Sequence, residues 1–451
     1  MFGPRAGRSI LALRHPAQYV VVAFVLASLV GGLLLMIPAA SNDSGVAPPM
    51  TAFFTAVSAV CVTGLTVVDT PGYWTGLGEG IILGLIQLGG FGIMTLSSLI
   101  VLTLARRLGL RQRLIAAAET GSLELGDIRR VLVGVAKLSL TVEAVTAAVL
   151  FLRFWIGHDE PVGRAAYLGI FHAVSAFNNA GFALFSTNLV GYQRDPVLLI
   201  AIAIAIIVGG LGYPVWLQIG RHPFTPRRWS LHAKLTVFTT VLLLAVGTVL
   251  MAWFEWTNSN TLGRLSVRDS AVNAFFHSVT PRTAGFNSID IAGMRDTTQL
   301  LTEVLMFIGG GSASTAGGIK VTTFALLGWV MWAEVRGSPD TVVFNRRVPD
   351  TANRQALTTA LLAIGAVIGS TLILLATTPH TRPDLMFEAI SALSTVGLST
   401  GVTPSLPDLS QLVVIGLMIL GRVGPITLFA ALVLRERDRL YRFPDERPII
   451  G

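Results

Sequence analysis

Four times along the chain a phenylalanine stands ten residues ahead of a glycine: Phe54 and Gly64, Phe171 and Gly181, Phe275 and Gly285, Phe387 and Gly397. The glycines are 117, 104 and 112 residues apart. Serine stands six residues before three of them (Ser58, Ser175, Ser391), and a large apolar residue follows all four (Leu65, Phe182, Phe286, Leu398). A second matched feature lies 24 to 28 residues downstream: Gly89-Gly90-Phe91-Gly92, Gly209-Gly210-Leu211-Gly212, Gly309-Gly310-Gly311-Ser312 and Gly421-Arg422-Val423-Gly424. Such self-similarity means one structural unit used repeatedly, here four times.

The solvent of these units follows from charge. Only 13% of the 451 residues are charged and 52% are hydrophobic, against about 25% charged in an ordinary globular domain. Windows of about 20 apolar residues, enough to cross a bilayer, predict eight spans at 18–38, 80–105, 131–155, 196–220, 231–256, 298–334, 357–377 and 409–434. Inside each repeat lies a shorter apolar stretch, at 50–61, 165–178, 270–280 and 385–393. These suit re-entrant helices, which are tolerated where protein or a water-filled cavity surrounds the irregular backbone that follows. The expected fold is an all-α integral membrane protein of four span, re-entrant helix, span repeats, with eight transmembrane helices and four pore helices around one central pore. The repeats divide as 1–110, 111–222, 223–338 and 339–434, followed by a tail at 435–451.

With both termini on one side, that side carries 22 of the 33 Lys and Arg and the opposite side seven, so both termini are expected in the cytoplasm. The membrane expected is the plasma membrane. The remaining four, Lys137, Arg282, Lys320 and Arg422, fall within spans or re-entrant segments, where an ionisable residue is a functional candidate by default. Topology thereby explains the basic balance, and no stripe of the kind that binds nucleic acid is left. The single cysteine, Cys61, excludes an internal disulfide and thiolate metal clusters. The first apolar run is longer than a signal-peptide core and reads as a span. All four repeats start and end in the cytoplasm, so they can surround one axis along the membrane normal, unlike inverted repeats.

Glycine turns after re-entrant helices suit cation coordination by backbone carbonyls, because glycine permits the unusual dihedrals that aim several oxygens at one point. The expected filter is Val62, Thr63 and Gly64; Asn179, Ala180 and Gly181; Thr283, Ala284 and Gly285; Thr395, Val396 and Gly397. None is a carboxylate, and neutral carbonyls with the field of helix C-termini favour a large monovalent cation. One glycine per turn points to modest discrimination among monovalent cations. Turns that merely reverse the chain would account for one repeat, not four matched ones. An enzyme is not expected, since no HExxH motif, carboxylate cluster or nucleophile and base pair appears. A proton-coupled solute transporter would need midplane acids, for which Glu143 and Glu303 are the candidates; Lys137 and Glu143, six apart, are not helix-face partners.

The sixth span is interrupted by Gly309, Gly310, Gly311, Ser312, Ala313, Ser314, Thr315, Ala316, Gly317 and Gly318. Neither flank crosses alone, so a broken helix with a loop at membrane depth is expected; helix packing through small residues is the alternative. Lys320 follows isoleucine, which removes a phosphate-loop reading, and its amine could reach toward the cytoplasmic surface. Arg422 carries a charge that stays on at ordinary pH; it would repel a cation if it faced the pore, and the alternative is half of a pair with an acid. Arg282 reads as a brace of its turn through carbonyls. The loops 106–130 and 336–354 mix both signs and read as solvated segments or as docking surface for a partner protein.

The stretches Val62-Thr-Gly-Leu-Thr66, Asn178-Asn-Ala-Gly-Phe182, Pro281-Arg-Thr-Ala-Gly-Phe-Asn287 and Ser394-Thr-Val-Gly-Leu398, with the 309–320 segment and Gly421-Arg-Val-Gly-Pro425, resemble the Trk/Ktr/HKT superfamily of potassium transporters over the whole chain. Within it the chain most resembles the Ktr membrane subunit of KtrB type, a Trk-type subunit being the alternative. The resemblance implies potassium uptake driven by the membrane potential, with sodium as an activating ion and no organic cofactor. It also implies gating by the 309–318 loop beside Arg422, a homodimer with one pore per subunit, and a cytosolic ring of RCK-type nucleotide-binding regulatory subunits. Related subunits use the C-terminal tail at the dimer interface.

Overall fold

The computed structural model describes residues 16–43, 45–107 and 128–424. The N-terminal arginines through Arg14, the middle of the 106–130 loop, the expected eighth span beyond Gly424 and the 435–451 tail lie outside the described residues.

Four short helices recur at the expected places: α2 at Pro49–Val60, α5 at Val162–Phe177, α9 at Val267–Val279 and α13 at Arg382–Leu393. Proline opens three of them, as Pro49, Pro161 and Pro383. A fixed φ and a missing N–H cost nothing in a first helical turn. The fourth opens on Ser266, whose hydroxyl accepts from Asp269 N–H at 3.2 Å, an ordinary N-cap.

The longer helices are α1 at Pro16–Leu35, α3 at Gly76–Arg107, α4 at Ile128–Gly157, α6 at Pro196–Leu211, α7 at Tyr213–Arg221, α8 at Leu231–Glu255, α10 at Asp296–Phe307, α11 at Val321–Val335, α12 at Asp350–Thr377 and α14 at Asp408–Val423. Among the described residues, α4, α8 and α12 are by themselves long and apolar enough to cross a bilayer. Burial is inverted relative to a water-soluble protein. Trp253 is 78% exposed and Leu372 63%, while His172, Asn178, Glu388 and Arg422 are buried. Apolar residues outside and polar groups inside fit a hydrocarbon exterior.

The short helices sit between their flanking long helices and form the centre of the molecule. Each of α2, α5 and α13 packs on the helix before and the helix after it, and α14 returns to pack on α2, closing the set. The third repeat departs from this, with α9 packed on α8 and on α6 of the preceding repeat. Outside the centre, Asp195 caps α6 through Leu198 N–H and accepts from Arg153 and His158 at 2.7 and 2.8 Å. Burial alone would raise its carboxyl, but these donors and the Arg153 charge hold it below the usual aspartate range.

The structure adds to or departs from the sequence reading at three places. The span expected at 196–220 is not one straight helix: α6 and α7 meet at 95°. Gly212 makes the break at φ +89°, and carbonyls of the 309–318 loop occupy the space a Cβ would need. Phe275, matched by spacing to Phe54, Phe171 and Phe387, is half-buried, while Phe276 is fully buried. The physical reason is the helix end: α9 stops six residues before its glycine, whereas the others stop four before theirs, and Pro281 prevents continuation. The 336–354 loop carries a small hairpin, Val342–Val343 paired with Arg346–Arg347. Its turn residues Phe344 and Asn345 have φ +47° and +62°, as a two-residue turn of the primed type requires. Val343 is buried with Leu235 and Val348, while residues 344–347 between them stay exposed.

Candidate functional site

Each short helix ends in a turn whose backbone alternates in hand. Val62, Asn179, Thr283 and Thr395, two residues before the glycines, have φ +55°, +60°, +70° and +50°. Gly64, Gly181, Gly285 and Gly397 have φ +92°, +70°, +75° and +92°. Thr63, Ala180, Ala284 and Val396 between them do not share the positive φ. Glycine accepts this conformation freely and asparagine tolerates it. Valine and threonine do not; β-branched residues there cost on the order of 1–3 kcal/mol each and persist only where surroundings over-determine them. Three such positions at one place mark a site under construction pressure.

The turns meet in a closed cycle. A Cβ added at Gly64 would strike the Ala180 carbonyl, and one at Gly181 would lie 2.8 Å from that of Ala284. At Gly285 it would strike the Val396 carbonyl, and at Gly397 that of Thr63. Each glycine therefore nests on the carbonyl that precedes the glycine of the next repeat. The structure brings the four glycines and the residues before them together, and the glycines are required by the neighbour as well as by φ.

The turns are hung from their helices by matched bonds. Thr63, Ala180 and Val396 N–H each donate to a carbonyl five residues back, all at 2.8 Å, whereas Ala284 reaches four back, to Thr280, at 2.9 Å. Ser58 and Ser391 hydroxyls accept from Gly64 and Gly397 N–H at 3.1 Å. Ser175 instead donates to Phe182 O at 2.8 Å. Sequence reading missed the residue after each phenylalanine. His172 Nε2 accepts from Leu184 N–H at 3.3 Å, and Glu388 accepts from Thr403 Oγ1 at 2.9 Å and from Ser399, so both tie down the segment beyond the turn.

The downstream glycine clusters have a common reason in three repeats. A Cβ on Gly89, Gly209 or Gly421 would strike the carbonyl of Val60, Phe177 or Leu393, the last residue of each short helix. The small residue lets the long helix pass against that carbonyl. In the third repeat the chain opens instead into non-helical backbone between Phe307 and Val321, which removes the alternative of helix packing through small residues. Gly309 N–H donates to Ile319 O at 2.8 Å and Val321 N–H to Gly310 O at 3.0 Å, closing the neck of the loop.

This loop lies against the short-helix C-termini. Gly311 and Thr315 N–H donate to Gly210 and Gly209 carbonyls at 2.8 and 3.3 Å. Thr315 Oγ1 bonds Asn179 Oδ1 at 3.2 Å and Phe177 O at 3.3 Å. A Cβ at Gly317 would meet Thr395 Oγ1, and one at Gly318 would meet Ser394. Ser314 Oγ donates to Gly311 O at 2.6 Å.

Arg422, 3% exposed, donates Nη1 to Thr315 O and Nη2 to Gly89 O at 3.2 Å. Its Nε has no partner, and no acid pairs with it among the described residues. Lys320 does not extend to a surface: its Nζ turns back to Ala316 O at 2.6 Å and Gly317 O at 3.4 Å. Arg282 donates Nη1 to Thr240 O of α8 at 3.2 Å, bracing the third turn through a carbonyl.

The sequence profile of the TrkH family, described as a cation transport protein, matches residues 3–441. The chain is 36% identical over 439 residues to the Ktr system potassium uptake protein B of Bacillus subtilis, covering 97% of each. It is 34% identical over 442 residues to the potassium/sodium uptake protein NtpJ of Enterococcus hirae, again covering 97% of each. Its fold matches the crystal structure of the potassium transporter TrkH from Vibrio parahaemolyticus with a TM-score of 0.75 and 20% identity, over 95% of this chain and 87% of that one. The chain therefore belongs to the TrkH family of cation transport proteins and is a helical, multi-pass membrane transporter rather than an enzyme.

Proposed function

We propose that this chain takes up potassium across the bacterial plasma membrane through the ring of glycine turns, as the membrane subunit of a Ktr-type system. The closed cycle of four turns with alternating backbone hand carries the reading. Alternation turns successive peptide carbonyls to one side of the chain, and four such segments around one axis provide the oxygens that replace a cation's hydration shell. The filter is then Val62 to Gly64, Asn179 to Gly181, Thr283 to Gly285 and Thr395 to Gly397, without a carboxylate that would hold a divalent ion. The membrane potential, worth about 2.3 kcal/mol per charge per 100 mV, drives inward flow.

In this reading the eight spans form four repeats in one orientation with both termini cytoplasmic, and the 309–318 loop closes the path below the filter. Arg422 latches that loop to the first repeat and repels cations at the same point. Lys320 adds a second positive charge at the loop's exit. The names of the relatives support potassium as the cargo. The name of the potassium/sodium uptake protein supports sodium as a second ion, whether activating or carried. A uptake system implies further components, for which we propose a homodimer on an RCK-type nucleotide-binding ring.

The test is potassium uptake in a potassium-uptake-deficient bacterial strain expressing the chain with and without such a partner. Rescue by wild type, lower potassium affinity in Gly285→Ser and altered flux in Arg422→Ala are expected. Correctly inserted protein that gives no potassium uptake in either partner state would overturn the proposal.

A further inference from the structure

Glu143 takes no part in the ring or the loop, yet a carboxylate within a span needs a reason. It lies on α4 and is 6% exposed. Its oxygens accept from Ser139 Oγ at 2.7 Å, from Gln87 Nε2 at 3.2 and 3.3 Å and from Asn178 Nδ2 at 3.3 Å. Asn178 Nδ2 also donates to Gln87 Oε1 at 2.8 Å and to Val174 O at 3.0 Å. Gly90 of α3 leaves room for this amide, since a Cβ there would strike Asn178 Oδ1.

Side chains from α3, α4 and the end of α5 thus converge on Asn178, the residue immediately before the left-handed Asn179. The matching position in the other turns is Cys61, Arg282 or Ser394. Arg282 is held by a neutral carbonyl; among the described residues, Asn178 is the one of the four bonded to a carboxylate. Bonds to a charged acceptor are stronger and more directional than neutral ones. A shift of the second turn would also reach the third, because Gly181 nests on Ala284 and Gly285.

We propose that Glu143, acting through Gln87 and Asn178, is a positioning residue that holds the second turn in shape and thereby sets which alkali cation the ring prefers. This deepens the potassium-uptake reading and rests on it.

The test compares potassium and sodium uptake kinetics in the uptake-deficient strain for wild type, Glu143→Gln, Gln87→Met and the exchange Gln87→Glu with Glu143→Gln. Glu143→Gln places an amide N–H₂ opposite two amide donors. It is expected to raise the KM for potassium about tenfold, the equivalent of one charge-assisted hydrogen bond, and to narrow the KM ratio between sodium and potassium, with maximal rate and inserted amount little changed. Gln87→Met removes one arm and is expected to move both constants the same way by less. The exchange returns a carboxylate to the cluster with complementary donors and is expected to restore the wild-type ratio. Less inserted protein or a lower maximal rate with an unchanged ion ratio would mean a strut only and overturn the proposal, as would failure of the exchange to restore the ratio. Uptake that instead follows the proton gradient and vanishes in Glu143→Gln would overturn it in favour of proton coupling. Absence of wild-type potassium uptake would sink the underlying reading, a result distinguishable from any of these.

Discussion

The third repeat and its three companions share a turn but not what stands behind it. In the first, second and fourth, a long helix crosses the last carbonyl of the short helix at a glycine, Gly89, Gly209 or Gly421. In the third, the short helix ends two residues earlier relative to its glycine, and the following helix opens into the 309–318 loop. The loop then spends its hydrogen-bonding groups on the other repeats: Gly209 and Gly210, Asn179, and through Arg422 the carbonyl of Gly89. Three repeats are built to hold still and one is built to be held by the others. An internal repeat can thus keep its turn geometry while one copy gives up regular helix for a loop that the other copies hold.

The largest expected effect tests whether the four turns are equivalent despite that difference. Gly397→Ala places a methyl against the Thr63 carbonyl at φ +92° and should lower potassium uptake more than about a hundredfold, a cost above about 3 kcal/mol. Gly285→Ala in the third repeat should do the same; near-normal uptake in either variant would break the cyclic picture.

Next comes the helix behind the turn. Gly421→Val should lower the melting temperature of detergent-purified protein, with a loss of about 2–3 kcal/mol from overpacking against the Leu393 carbonyl. Gly317→Ala, in the loop, should change flux more than melting, since its neighbours Thr395 and Ser394 belong to a turn. Equal melting losses would mean that the loop is as rigid a support as the helices.

Arg422→Ala removes both bonds to Thr315 and Gly89 and the buried charge. Tracer uptake without the regulatory partner should rise about tenfold, as expected when one charge-assisted latch is lost. An unchanged rate would leave the arginine a structural tie. Thr315→Val cuts the hydroxyl's bonds to Asn179 and Phe177 but leaves the Arg422 bond to the Thr315 carbonyl, and should change the maximal rate a few-fold in the same direction.

The smallest effect concerns the serines. Ser391→Ala removes the acceptor of Gly397 N–H and should cost about 1 kcal/mol in chemical denaturation. Val279→Ala, at the same place in the third repeat, removes no such acceptor, and its denaturation midpoint should report lost packing alone. A Ser391→Ala midpoint that matches wild type would show that this hydroxyl is dispensable to the turn.

Much of this was legible in the residues. The spacing of phenylalanine and glycine located all four turns, and the run of small residues located the broken helix, because both follow from local chemistry: an apolar stretch too short to cross and backbone that cannot stay helical. Equal spacing did not carry equal burial at Phe275, where Pro281 ends the helix early and the buried position falls to Phe276. It missed Val62, Thr283 and Thr395 as left-handed residues, since nothing in a β-branched side chain announces positive φ. It also left Glu143 without a role, because its partners Gln87 and Asn178 are 56 and 35 residues away.

By itself, then, the sequence determined the membrane as solvent, the fourfold unit and the glycines that each turn requires, since hydrophobicity, period and steric freedom are properties of residues and their neighbours in the chain. The tertiary structure alone decided that each glycine rests on the next repeat's carbonyl, that Arg422 latches Thr315 to Gly89, that α6 and α7 bend at Gly212, and that Glu143 reaches the second turn. Those depend on groups separated by as many as 334 residues, Gly397 and Thr63, whose meeting is set by how the repeats close around one another.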